Sequence, residues 1–131
     1  MTYDLPALVR FAEDYQFAED DLPIVFAAEP YTRIPIYRDE DIEIVVICFA
    51  GGQTSSVHDH QGSNCVIRVV RGKVLECLFE PDGDTLTMVE HHYLKPGDIG
   101  GLDGQQVHQL SNVDPGGTVL LNFYSPPFKL K

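Results

Sequence analysis

The chain has 131 residues, a length typical of one domain that can bury an apolar core without disulfide or metal support. Its 20 acidic residues against 9 basic ones give a formal net charge of −11, which disfavours binding to nucleic acid or to anionic membranes. No run of about 18 apolar residues occurs, so no membrane-spanning segment is expected.

The three cysteines, Cys48, Cys65 and Cys77, are an odd number without a tight spacing. This pattern argues against a disulfide scaffold and favours a reducing compartment. The N-terminal segment lacks a basic region followed by an apolar stretch, so no signal peptide is expected. These features together predict a cytoplasmic protein.

Residues 1–29 have the pattern of a helical segment. Asp4 is a candidate N-cap, with Pro6 in the first turn of the helix. A second short helix is predicted at residues 20–27 and ends before Pro30. Apolar residues recur at helical spacing in the first of these helices: Leu5, Leu8, Val9, Phe11 and Ala12.

From residue 30 onward the pattern changes to short segments rich in β-branched and aromatic residues. Gly- and Pro-containing turns such as Arg71-Gly72 separate these segments, and this indicates an all-β sandwich or barrel. We predict one domain over residues 1–131, with a helical segment at 1–29 and a barrel at 30–128. Seven strands are predicted: 32–37, 42–49, 65–70, 73–80, 85–94, 106–110 and 118–124.

A pair of histidines stands at the centre of the chain, in the segment Ser56-Val57-His58-Asp59-His60. Residues two apart on a strand point to the same face, so His58 and His60 can bind one metal ion. His108 lies on another predicted strand and is a third candidate ligand. Three imidazoles also suit zinc, nickel or copper, so the residue types alone leave the metal open.

The spacing of Gly52, the His-x-His pair, Cys65, Gly72 and a distant His108 followed by Asn112 resembles the two signature motifs of the cupin superfamily. Cupins are double-stranded β-helix barrels, so the resemblance implies a jelly-roll-like, all-β fold. Most cupins carry a metal-ligating glutamate at the position that Cys65 occupies here. A cysteine there is either a thiolate ligand or a plain buried residue.

The segments Tyr31-Thr32-Arg33, His58-Asp59-His60, Ser63-Asn64-Cys65 and Tyr124-Ser125-Pro126-Pro127-Phe128 resemble the cysteine dioxygenase family of thiol dioxygenases, and the similarity spans residues 30–128. By position, the resemblance implies ferrous iron on His58, His60 and His108. It assigns the substrate carboxylate to Arg33, with Tyr31 beside it. It also assigns the family's thioether-linked pair to Cys65 and Tyr124.

The chain departs from that family just before Tyr124. The family usually has a serine and a histidine there, where this chain has Leu120 and Asn122. Leucine cannot continue a hydrogen-bonded chain, and asparagine does not titrate near neutrality. We therefore expect the hydrogen bonding of the Tyr124 hydroxyl to differ from that in the family. The chain also ends soon after Phe128, which predicts a more open pocket or a cap from a second subunit.

The residues and the resemblance together predict an Fe(II)-dependent thiol dioxygenase that oxidises L-cysteine with O2 to cysteine sulfinic acid. The expected partners are a small thiol and O2, without nucleic acid or membrane, and the oligomeric state is left open. One alternative is a dioxygenase for another small thiol, such as 3-mercaptopropionate. A second is a non-catalytic metal-binding cupin that senses or carries a small ligand. An isomerase or decarboxylase cupin would more naturally retain the carboxylate ligand.

Overall fold

The structure is a computed structural model that describes residues 2–128. Met1 and residues 129–131 of the predicted domain lie outside the described residues. Neither of the two described helices is long and apolar enough to cross a membrane. The elements are helix α1 (Leu5–Asp14), a 3-10 helix (Glu19–Asp21), and strands β1 (Thr32–Arg38), β2 (Glu43–Phe49), β3 (Asn64–Arg71), β4 (Val74–Asp82), β5 (Thr85–Leu94), β6 (Ile99–Leu102), β7 (Val107–Ser111) and β8 (Thr118–Ser125).

The strands form two antiparallel sheets, one in the order β1-β2-β8-β3-β6 and one in the order β5-β4-β7. Their facing surfaces enclose an apolar core that takes side chains from both sheets. Val45, Ile67 and Leu120 come from the larger sheet, and Leu78 and Leu110 come from the smaller one. The predicted all-β barrel is therefore confirmed.

Helix α1 covers the outer face of the larger sheet. Asp4 caps it as predicted, because its carboxylate accepts a hydrogen bond from the Ala7 backbone N–H at 2.9 Å. Leu8 and Ala12 are fully buried against the outward side chains of β2, β3 and β8. Side chains of residues 15–24 pack on the same cluster, so β2 and β8 are buried on both faces, which explains their nearly continuous apolar sequences.

The second predicted helix, at residues 20–27, is wrong except at its start. Only the 3-10 helix Glu19–Asp21 forms, and residues 22–31 contain neither helix nor strand. Pro23 lacks an N–H donor and disfavours helical backbone at the residue before it. The Gln53 amide then donates hydrogen bonds to the carbonyl oxygens of Ala27 and Ala28, at 2.8 and 3.0 Å, and holds this segment against the barrel.

Strand β6 is an eighth strand that the sequence pattern does not reveal. Its residues Gly100 and Gly101 carry no side-chain signal, yet both lie in close contact with neighbouring elements. A Cβ atom on Gly101 would lie 3.3 Å from Leu5 Cδ1, and one on Gly100 would lie 3.2 Å from Leu94 Cδ1. The two glycines therefore allow β6 to pack closely between α1 and the end of β5.

Candidate metal centre

The loop between β2 and β3, residues 50–63, carries His58 and His60 and lies along strand β7. His58 and His108 exchange both backbone hydrogen bonds, each at 2.9 Å. Closer to the start of the loop, the Ser55 N–H donates to the Leu110 carbonyl at 2.8 Å, and the Ser55 hydroxyl accepts from the Leu110 N–H at 3.0 Å. This pairing fixes the register in which the loop presents its imidazoles to β7.

The prediction that both histidines of the pair lie on one strand is only half right. His58 forms an isolated bridge, whereas Asp59 and His60 lie outside any strand. The chain turns directly after them, with positive φ angles of 52° at Gln61 and 94° at Gly62. The Asp59 carboxylate accepts from the Gln61 N–H at 3.0 Å and stabilises this turn.

The three predicted histidines nevertheless come together. The ring centroids are 4.7 Å apart for His58 and His108, 4.8 Å for His60 and His108, and 5.1 Å for His58 and His60. One candidate ligand atom from each ring lies within 4.8 Å of the other two. His60 and His108 are buried, His58 is partly buried, and Cys65 is outside the group.

Hydrogen bonds to the outer nitrogens determine which nitrogens of His58 and His108 are free. His58 Nδ1 donates to the Ser56 carbonyl oxygen at 2.7 Å, and His108 Nδ1 donates to Glu76 Oε2 at 2.9 Å. Because carbonyl and carboxylate oxygens only accept, each ring proton lies on Nδ1 and each Nε2 carries a lone pair.

The two free Nε2 atoms lie 3.2 Å apart, where their lone pairs repel each other. A cation between them would remove this repulsion. Two nitrogen ligands at about 2.1 Å from a metal, at a right angle to each other, are about 3.0 Å apart. The residues present therefore fit a metal ion.

Burial favours the neutral forms of His58 and His60. Desolvation, with smaller contributions from positive charge on His108, His58 and Arg33, lowers the pKa of His60 to about 3. Desolvation also lowers the pKa of His58. A neutral imidazole is the form that binds a metal ion.

A cavity of about 470 Å³ adjoins the imidazoles. The Arg33 guanidinium carbon lies 5.4 Å from the centroid of the Tyr124 ring and 5.8 Å from that of Phe128. Tyr31 packs on Phe49 with ring centroids 4.6 Å apart. The lining of the cavity includes all the predicted site residues except Cys65: Tyr31, Arg33, His58, His60, His108 and Tyr124.

Unpartnered polar atoms cluster at this cavity. Among the described residues, four buried side-chain nitrogen or oxygen atoms have no hydrogen-bond partner. Three of them belong to residues that line the cavity: Arg33 Nη2, His60 Nδ1 and Asn122 Oδ1. Buried polar atoms are normally hydrogen-bonded, so this clustering indicates that a polar ligand completes the site.

Cys65 and Tyr124 lie directly opposite each other in the β3–β8 pairing, and both are buried in the core between the sheets. Burial raises the pKa of the Cys65 thiol and that of the Tyr124 hydroxyl. Asn122 Nδ2 donates to the Tyr124 hydroxyl oxygen at 3.0 Å, so the hydroxyl proton is free for another acceptor. Leu120 lies in the apolar core and ends the hydrogen-bonded chain.

Glu76 is the residue at this site that sequence analysis missed. It is buried on β4, between the inward-facing Val74 and Leu78. The sequence does contain a sign of it, because Glu76 occupies an inward position in a strand of alternating burial. Charged residues are almost never fully buried without partners, so a partner for Glu76 could have been expected. The carboxylate contacts two histidines, His108 at 2.9 Å and His92 at 2.8 Å.

Solved structures resemble the fold. An RmlC-like cupin protein from Desulfovibrio desulfuricans superposes with a TM-score of 0.60 and 22% identity, over 87% of this chain and 100% of that chain. A Klebsiella pneumoniae protein with a double-stranded β-helix domain gives a TM-score of 0.64 and 21% identity, over 88% and 97%. At these identities the likeness concerns the fold alone, and it confirms the predicted cupin double-stranded β-helix.

Sequence comparison identifies the family. Human cysteine dioxygenase type 1 is 33% identical over 94 residues, which cover 65% of this chain and 45% of the human protein. The chain thus spans about half the length of the curated relatives it matches. The family model described as cysteine dioxygenase type I matches residues 11–130, nearly the whole chain. With this match across its barrel, the chain belongs to the cysteine dioxygenase type I family.

Proposed function

We propose that the protein is an Fe(II)-dependent thiol dioxygenase that oxidises L-cysteine with O2 to cysteine sulfinic acid. The observation that supports this most directly is that the unpartnered guanidinium nitrogen of Arg33 belongs to the same cavity as the three imidazoles. A small molecule with both a carboxylate and a thiol matches these two features. The three free cysteines are consistent with a reducing, cytoplasmic setting.

We assign the metal to His58, His60 and His108. Three neutral imidazoles add no negative charge, so the site suits a substrate that arrives as a thiolate. Bound ferrous iron would supply the redox chemistry that adds both atoms of O2 to the substrate sulfur. Family membership favours iron, and zinc has no redox chemistry of its own.

Arg33 and Tyr31 are the proposed substrate-binding residues. The planar guanidinium matches a carboxylate with two parallel hydrogen bonds, and its buried Nη2 has no other described partner. The Tyr124 and Phe128 rings that flank the guanidinium hold it in the cavity. Binding there would orient the thiol toward the imidazoles, which supplies part of the rate enhancement through positioning.

Tyr124 is the proposed catalytic hydrogen-bond donor. Its raised pKa keeps the hydroxyl protonated, and the hydrogen bond from Asn122 leaves that proton free to face the substrate. We further propose a thioether between the Cys65 sulfur and the Tyr124 ring. Its formation removes one hydrogen from the thiol and one from the ring, and O2 takes up both hydrogens with their electrons and is reduced to hydrogen peroxide. Such a bond would hold the tyrosine in place.

Oxygen uptake by anaerobically iron-loaded protein tests the function. With L-cysteine we expect uptake coupled to a product heavier by two oxygen atoms. Faster uptake with 3-mercaptopropionate would identify a different thiol as the substrate. Leu120 and Asn122, which replace the serine and histidine usual in the family, would be consistent with that result. If neither thiol is consumed while iron is bound, the dioxygenase proposal fails and a non-catalytic metal-binding cupin is favoured.

Arg33→Ala should raise KM for L-cysteine about tenfold or more, because hydrogen bonds between charged groups are worth about 1.5–3 kcal/mol. The same variant should change KM little for cysteamine, which has the thiol and amine without the carboxylate. Arg71→Ala is the matched control, since Arg71 is an exposed arginine that pairs with Glu19. An unchanged KM for L-cysteine in Arg33→Ala would remove the assigned role.

The intact mass of the protein tests the thioether. After aerobic turnover with iron and L-cysteine, we expect a species lighter by two hydrogen atoms. Cys65→Ser should keep its full mass under the same treatment, whereas Cys77→Ser should lose the two hydrogens like the unsubstituted protein. A mass that never changes in the unsubstituted protein would show that the opposed Cys65 and Tyr124 remain unlinked.

A further inference from the structure

Glu76 is a buried carboxylate for which the proposed reaction has no use. It lies on β4, the central strand of the smaller sheet, directly opposite His92 of β5 on one side and Leu110 of β7 on the other. Removing a carboxylate from water is costly unless its oxygens find partners. Both oxygens of Glu76 have a partner, and each partner is a histidine.

The two histidines approach the carboxylate from different environments. Glu76 Oε1 accepts from His92 Nε2 at 2.8 Å, and Oε2 accepts from His108 Nδ1 at 2.9 Å. The side chain of His92 is 36% exposed, whereas those of Glu76 and His108 are 3% and 1% exposed. Two hydrogen bonds thus connect a side chain at the surface of β5 to an imidazole of the metal centre.

We propose that Glu76 is a positioning residue for the metal centre and that His92 holds Glu76 in place; this proposal rests on the metal assignment made above. The Glu76 carboxylate accepts a hydrogen bond from the Nδ1–H of His108. This hydrogen bond fixes the tautomer that leaves Nε2 free and prevents the ring from turning. The negative charge also makes the imidazole a stronger donor to the metal. Because His92 occupies the second oxygen, the carboxylate cannot rotate away from His108.

His108 is the candidate ligand through which this effect should act. His58 donates to the neutral carbonyl of Ser56, and His60 Nδ1 has no hydrogen-bond partner among the described residues. Within residues 2–128, Glu76 is therefore the one acidic side chain that hydrogen-bonds a candidate ligand. The affinity of the site for a divalent cation should depend on this contact.

Binding of Co²⁺ alone to the metal-free full chain tests the proposal, without reference to turnover. Glu76→Gln keeps the shape but loses the charge, and it should raise the Kd for Co²⁺ by about 10- to 100-fold and shift the visible absorption of the bound ion. His92→Phe should weaken binding in the same direction by a smaller factor. His92→Gln should restore binding, since its amide can donate to the carboxylate. His91→Phe, on the same strand but exposed, is the matched control.

The thermal midpoint of each metal-free variant separates positioning from folding. Unchanged Co²⁺ affinity and spectrum in both Glu76→Gln and His92→Phe would overturn the proposal. The proposal would also be overturned if the variants lost Co²⁺ affinity in proportion to the fall in their thermal midpoints and His92→Gln did not restore binding. If the unsubstituted protein bound no Co²⁺, or if His108→Ala bound it normally, the metal assignment itself would fail.

Discussion

The antiparallel pairing of His58 with His108 is the contact on which the site depends. These residues are 50 positions apart in the chain, yet they exchange both backbone hydrogen bonds and their rings meet edge to face, with centroids 4.7 Å apart. The pairing continues toward the start of the loop, where Asn112 accepts from the Gly52 N–H and donates its amide to the Phe49 carbonyl. A loop without regular strand structure is thereby held against β7 by hydrogen bonds along its length.

The charge distribution of the cavity complements this geometry. The chain as a whole is strongly acidic, with a net charge of −11, whereas the cavity contains the Arg33 cation and three imidazoles, two of which burial holds neutral. Asp59 also lines the cavity, with its carboxylate accepting from the Gln61 N–H, and the buried carboxylate of Glu76 is bound to two histidines. At Arg33, whose buried Nη2 has no hydrogen-bond partner, the cavity favours a ligand group that brings a negative charge. The proposed substrate, a thiolate with a carboxylate, would place its carboxylate at Arg33 and its sulfur beside the imidazoles.

Sequence patterns predicted the features that short-range rules control, and missed those that depend on register between distant strands. The Asp4 cap and the strand segments follow from local spacing, and the three histidines follow from motif spacing. Strand β6 was missed because its close packing against α1 and the end of β5 requires Gly101 and Gly100, and glycines in a sequence indicate turns. The contact of Glu76 with His92 joins neighbouring strands whose alignment includes a register shift, so residue spacing did not reveal it.

X-ray absorption at the iron edge, recorded on iron-loaded protein before and after anaerobic addition of L-cysteine, tests the central claim most directly. The account predicts imidazole ligands in both states and a sulfur neighbour that is absent before cysteine and present after it. Cys65 lies outside the histidine group, so the protein itself should contribute no sulfur ligand. A spectrum without imidazole scattering, or one that gains no sulfur neighbour when cysteine is added, would contradict the account.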